Sequence, residues 1–357
     1  MLGTSLLSCV VLMGVSAVPT PESWLRSEWE AARGEYSFPG VEIRYTIDLS
    51  YVPPAEELAA LRREVQGKPD HPGWHDLEIY DRRLRDGPDR INTRLWLANG
   101  EWRASESANA SHPAFDYGTD GDVSWSLSSN TLNLVDSDSP PPQRDYRGLI
   151  NSNVLVLSKF LHGHIGIGEP KRAVLREIHE GSRRWTAVAE GDGFRAAFEG
   201  RWSEELGRGF VERMVIEQDR PQFIGEATEF RDWHYDDLLG KWIAGRVVER
   251  RPDGLVDKVL VFESSAPVTP AEFDALVAAP RLDRPDPIRG DFRVSTVSDF
   301  RAHSLTESTI SSEGNVVETR SLPGRRASLT ARRLGWAILV VLAMTFVVVR
   351  IRNAGKP

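Results

Sequence analysis

Histidine, the most versatile catalytic and metal-binding side chain, occurs eight times in 357 residues. His71-Pro72-Gly73-Trp74-His75 sets two imidazoles four positions apart, which on a helix would offer one face to a metal ion. Pro72-Gly73 between them argues against a regular helix, so a solvated loop is expected there. His162-Gly163-His164 would point both rings to one side of an extended segment, but no cluster of carboxylates accompanies it. His179-Glu180 continues as Gly181-Ser182-Arg183, without the second histidine of a zinc protease helix. No Gly-x-Ser-x-Gly elbow and no Walker-type loop occurs, and Gly163 to Gly168 lacks the spacing of a dinucleotide fingerprint. The chain therefore reads as a non-enzyme, with no catalytic residue, no metal ligand and no cofactor to nominate.

Tryptophan is the unusual component. Of eleven, Trp96, Trp102, Trp125, Trp185, Trp202, Trp233 and Trp242 fall in or beside strand-like segments. Such large rings fill cores, and they can equally line a groove for an acyl chain or another apolar ligand. Trp96, Trp125 and Trp242 are the nominal ligand-lining residues.

The elements that must position them are strands. Val41-Glu-Ile43-Arg-Tyr45-Thr-Ile47-Asp-Leu49-Ser-Tyr51 alternates apolar and polar over eleven positions, which a helix period excludes. Arg94–Ala98 and Glu101–Ser105 flank Asn99-Gly100, a pair that supplies the positive φ angles of a type I′ hairpin turn. Further strands are expected at 123–127, 131–135, 185–189, 194–202, 210–217, 224–230, 242–249 and 258–263. Short turns between short strands require antiparallel pairing. The expectation is one curled sheet of roughly nine to eleven strands, a size at which open sheets bend.

Helices are few. Pro54–Gln66 carries Leu58, Leu61 and Val65 on one side, and Leu149–Leu161 carries Ile150, Val154, Leu157 and Leu161 at helical spacing. Thr269-Pro270-Ala271-Glu272 has the order of a capping box. The fold class is thus α+β, mainly β: a large antiparallel sheet forming an open half-barrel, with a few amphipathic helices and one C-terminal transmembrane helix.

The stretch Tyr117-Gly-Thr-Asp-Gly121-Asp-Val-Ser-Trp125-Ser-Leu-Ser-Ser-Asn-Thr-Leu-Asn-Leu-Val135, with the helix at 149–161 after it, resembles the outer-membrane lipoprotein-sorting (LolA-like) proteins. The resemblance spans roughly residues 41–265. It implies an unclosed, helix-plugged β-barrel that carries acylated cargo through the periplasm. This chain departs from a soluble carrier in its extra length and its C-terminal apolar run, and a tethered carrier does not shuttle.

Charge and the two ends complete the reading. The chain carries −8 overall, but the segment from Arg320 onward carries +8, which leaves −16 on residues 1–319. An acidic body repels phosphate backbones, so no nucleic acid is expected as a partner. An apolar run over 5–15 ending in Val15-Ser16-Ala17 reads as a signal peptide, 1–17, that takes the sole cysteine, Cys9, with it. Leu334 to Val349 is uncharged and flanked by arginines, and it spans about 24 Å as a helix. The expected order is signal peptide 1–17, extracytoplasmic domain 18–300, linker 301–333, transmembrane helix 334–351 and cytoplasmic tail 352–357. A cysteine-free exported domain fits a bacterial, periplasmic setting. The leading functional expectation is a membrane-tethered domain that binds a lipid, a lipidated protein or another apolar ligand. The alternatives are a structural or sensory envelope module that contacts protein partners, and an envelope hydrolase.

Overall fold

The structure is a computed structural model. It describes residues 20–31, 39–98, 101–107, 114–128, 130–136, 160, 173–181, 183–191, 193–282, 286, 288–289, 294–301 and 306–321. The signal peptide, the transmembrane helix, His162 and His164, and all of the expected helix 149–161 except Phe160 lie outside these residues. No described helix is long and apolar enough to cross a membrane.

Among the described residues sixteen strands form one open, curled sheet. In chain order they are β1 (Pro39–Leu49), β2 (Asp89–Ala98), β3 (Glu101–Glu106), β4 (Phe115–Thr119), β5 (Val123–Ser128), β6 (Thr131–Asp136), β7 (Ala173–Glu180), β8 (Arg184–Gly191), β9 (Phe194–Ser203), β10 (Arg208–Gln218), β11 (Ala227–Asp236), β12 (Lys241–Arg250), β13 (Val256–Pro267), β14 (Thr296–Asp299), β15 (Thr306–Ile310) and β16 (Val316–Ser321). The helices whose bounds lie among the described residues are α1 (Pro21–Ala31), α2 (Ala55–Val65), α3 (Gly73–Asp86) and α4 (Pro270–Val277). Spatially the strands run β16-β15-β14-β6-β5-β4-β3-β2-β1-β13-β12-β11-β10-β9-β8-β7. Two meanders, β2–β6 and β7–β13, meet at β1, which pairs with β2 on one side and β13 on the other.

The sheet exceeds the nine to eleven strands expected from the sequence. The additions are β4, β7 and the trio β14–β16. Part of the span read as a tether, 301–333, is thus sheet: β15 and β16 form a hairpin on β14. These strands hide from an apolar-alternation reading because they bury little, β16 being exposed at every position. β14 also pairs parallel with β6, against the expectation of wholly antiparallel pairing. A parallel neighbour needs a long crossover, and the chain between Asp136 and Thr296 provides one.

Helix α3 corrects a second expectation. Pro72 does not forbid a helix; it stands at the N-cap, and the helix begins at Gly73. Proline lacks an N–H that the first turn would leave unpaired, so it starts a helix without cost. His71 remains outside that helix, where its Nδ1 accepts from the Gly73 N–H at 3.1 Å. His75 lies exposed on the helix, so the two rings do not share a face as a ligand pair would. The capping box at α4 is as expected: Thr269 Oγ1 accepts from the Glu272 N–H, and the Glu272 carboxylate accepts from the Thr269 N–H.

Register separates the two faces. Ile43, Leu95, Ala104 and Tyr117 lie side by side across β1 to β4, and Ile47, Leu260, Val247 and Phe230 across β1, β13, β12 and β11. This is the inner face, which carries the main core. Trp29 of α1 packs on it against Phe198, and Phe160 packs against Tyr45 and Phe262. One residue along each strand lies the outer row: Glu42, Trp96, Arg103, Gly118, Trp125 and Leu134. Helix α4 covers part of that row through Phe273 and Val277.

Candidate ligand-binding site

Between β10 and β11 the sheet has a seam. Their ladder covers only Arg213–Val215 against Glu229–Ala227, although both strands are much longer. Before Arg213, β10 runs on β9 alone, and after Glu229, β11 runs on β12 alone. The backbone groups left facing the gap need other partners. Trp233 answers for one, its indole Nε1–H donating to the Val211 carbonyl at 3.1 Å.

Aromatic side chains fill the seam. Phe210 packs against Trp233 and Trp242 with ring centres 5.6 and 5.2 Å apart, and Trp242 packs against Tyr235 at 5.8 Å. These tilted and edge-on geometries suit ring quadrupoles. The cluster reaches helix α1 through Trp24, which contacts Trp185 at 5.8 Å and Trp202 at 6.4 Å. Gly209 makes the approach possible: a Cβ there would sit 2.4 Å from the Trp24 ring.

Arg208 occupies the middle. Its guanidinium lies 5.1 Å from the Phe210 ring centre, 5.7 Å from Trp242 and 5.8 Å from Trp24. Its Nε donates to the Gly209 carbonyl at 3.3 Å. Burial pulls its pKa below the usual arginine value, and the negative charge of Glu28 only partly offsets this. The site is therefore cationic at one point, aromatic around it, and half-open: Tyr235 at its margin is 49% exposed. Such a surface binds and orients. No nucleophile with an adjacent general base belongs to it, and among the described residues no group of three or more His, Cys, Asp and Glu is placed to hold a metal ion.

The three nominal lining residues are not brought together. Trp96 and Trp125 belong to the outer row, each 1% exposed, in separate clusters beside α4. Trp125 Nε1 donates to the Val277 carbonyl at 2.9 Å, which ties the ring to the end of that helix. Trp242 alone lies in the seam. Sequence reading missed Trp24, Arg208 and Phe210. The available signal was Gly207-Arg208-Gly209-Phe210, an arginine between two glycines at the head of a strand, where small residues make room for rings.

A second charged cluster lies behind the outer row. Arg103, with its side chain wholly buried, donates to Asp116 at 3.0 Å, Asp286 at 2.9 Å and the Leu276 carbonyl at 3.1 Å, and it lies over the Trp125 ring. Arg289 pairs with Asp116 at 2.6 Å. Two arginines against two aspartates leave the cluster neutral, and it fastens the chain after α4 to β3 and β4.

No model of a known protein family matches this chain, and no curated protein does. Solved structures do. A LolA superfamily protein from Nitrosomonas europaea is similar at 12% identity, over 69% of this chain and 94% of that one, with a TM-score of 0.37. A Vibrio parahaemolyticus domain described as an outer membrane lipoprotein-sorting protein is similar at 9% identity, over 70% and 94%, with a TM-score of 0.35. A DUF1329 family protein from Desulfovibrio piger is similar at 8% identity, over 71% and 98%, with a TM-score of 0.37. The first two carry the name of the lipoprotein-sorting family that the stretch from Tyr117 to Val135 resembles. At such identities and TM-scores they bring no activity to this chain.

Proposed function

We propose that this chain is a non-enzymatic binding domain that takes an acyl chain, from a lipid or a lipidated protein, against the inner face of its sheet. Helix α1 is the removable cover. The observation that carries this reading is that α1 reaches the apolar inner face through little more than Trp24, Leu25 and Trp29, its remaining side chains being mostly charged or polar and exposed.

Magnitudes support removability. Burying a tryptophan ring contributes about 4–6 kcal/mol at most, and a leucine about 2–3. Fixing the backbone of an eleven-residue helix costs about 1–2 kcal/mol per residue, which is as large as that gain or larger. A fourteen-carbon chain leaving water gains roughly 11 kcal/mol at about 0.8 per methylene. An acyl chain is therefore a fair competitor for the surface that α1 covers. In this reading the apolar run Leu334–Val349 anchors the domain outside the cytoplasm, beside a membrane where lipid is at hand.

The test is native mass spectrometry of the full chain, extracted in mild detergent. Bound lipid masses that vanish on organic extraction are expected; their repeated absence contradicts the proposal. One observation favours a second reading, a module that contacts protein partners: the edge strand β16 exposes Val316 on one face and Val317 on the other. A lipid-free chain that forms a stable complex through this edge would favour it.

A further inference from the structure

We infer that Arg208 is an oxyanion receptor, and that the ligand of the inner face is an amphiphile whose acidic headgroup, carboxylate or phosphate, docks in the aromatic seam. This rests on the acyl-chain reading above and adds the headgroup to it.

The inference starts from how arginines in this molecule are otherwise satisfied. Arg103, Arg289, Arg82, Arg83, Arg94 and Arg250 each have a carboxylate within 4 Å. Arg208 is as enclosed as several of these, yet its hydrogen bonding among the described residues is confined to Nε on the neighbouring Gly209 carbonyl. Its two terminal nitrogens are neither hydrogen-bonded to a described residue nor sealed from water. A guanidinium offers five N–H donors in a flat fork that matches the paired oxygens of a carboxylate or phosphate. Here the Phe210 and Trp242 rings, which belong to the sheet and stay when α1 leaves, hold the fork in place while its outer edge stays open. Orientation is thus settled before any ligand arrives, which lowers the entropy lost on binding.

Position supports the same conclusion. Trp24 belongs both to the wall of the seam and to α1, the cover of the inner face. A ligand whose chain displaces α1 from the inner face therefore moves Trp24 away from Arg208 and uncovers the guanidinium. Partial desolvation of the guanidinium makes an anionic partner more valuable there than at the open surface.

The experiment titrates the full chain, in detergent-free amphipol, with four probes: palmitate, palmitoyl lysophosphatidate, monopalmitoylglycerol and inorganic phosphate. Calorimetry reads the affinities. The two acidic amphiphiles are expected to bind at least about tenfold tighter than the glyceride, a difference of roughly 1.4 kcal/mol. The stronger of the two identifies carboxylate or phosphate as the headgroup. Arg208→Ala is expected to bring both acids to the level of the glyceride, whose own affinity stays within about twofold. Arg208→Lys retains the charge but not the fork, and is expected to lose most of the preference. Should Arg208→Ala fail to fold by circular dichroism, Arg208→Lys decides alone. An acid preference that survives the decisive substitution, or wild-type binding with no such preference, overturns the inference and leaves acyl-chain binding standing. Binding of inorganic phosphate as tight as lysophosphatidate would overturn it too, because the site would then be a free-anion site. If no amphiphile binds, both readings fall together.

Discussion

Arg103 and Asp116 form an ion pair at 3.0 Å with both side chains wholly excluded from solvent. Neighbours on β3 and β4, they face outward, away from the main core. A buried ion pair adds little net stability over a well-packed apolar one, but losing one partner strands a charge. Asp286 on the far side of Arg103 extends the pair into a clamp. Asp286 and Arg289, which lie between α4 and β14 in the chain, are thereby held on β3 and β4.

Arg103→Met should therefore destabilise the protein by about 3–5 kcal/mol, because Asp116 and Asp286 lose their shared cation. The double change Arg103→Met, Asp116→Leu should recover part of that loss. Urea unfolding followed by circular dichroism measures both, and equal stability of wild type and Arg103→Met would remove the clamp from the account.

Acid should loosen the same clamp. Burial alone would raise the pKa of Asp286, but the Arg103 hydrogen bond and charge and the N–H groups of Arg289 and Ile288 more than reverse this, so the carboxyl lies below its ordinary value. A depressed folded pKa gives stability that is present above the unfolded value, near 4, and lost as pH falls through the folded one. Unfolding free energy should fall below about pH 4, and Asp286→Asn should flatten that slope while lowering stability at pH 7.

Two glycines should behave unlike each other. A Cβ at Gly200 would meet the Trp185 ring at 2.2 Å and the Phe210 carbonyl at 2.4 Å. Gly200→Ala must displace a core tryptophan and should cost about 1–3 kcal/mol. Gly193 has open space around it but φ of +71°, so Gly193→Ala should cost only about 1 kcal/mol of backbone strain. Thermal unfolding of the two variants gives the ranking.

Trp29 is the main anchor of α1, edge-on to Phe198 at 5.8 Å. Trp29→Ala should speed amide hydrogen exchange across residues 21–31 while leaving β1 and β13 protected. Faster exchange throughout the sheet would mean that α1 is integral to the core and not a cover.

Much of this fold was legible in sequence, and the reasons are physical. β1 alternates apolar and polar residues, and β2 alternates buried and exposed ones from Asp89 to Leu95, so both announce themselves. β7 contains a bulge between Arg176 and His179, with Glu177 at φ +45°, which breaks the period of two. β15 and β16 have little to bury and show no alternation. The site was harder. Trp242 was named for its size, but sequence carries no sign of which face a ring takes when ladders end early. Trp96 and Trp125 share the strand and hairpin signals of a lining residue, and only α4, more than a hundred residues further along the chain, closes over them. Arg208 is one of many arginines until the register places three rings around it.

The central claim is that α1 covers a surface made for an acyl chain. The Glu22 N–H donates to the Glu180 carboxylate at 2.8 Å, so these positions on α1 and β7 are close enough to be tied. The direct measurement is palmitate binding to the full chain carrying Cys9→Ser, Glu22→Cys and Glu180→Cys, linked by a short reducible bis-maleimide. The account predicts that the linked protein fails to bind and that reduction restores binding. Equal binding before and after reduction would contradict it.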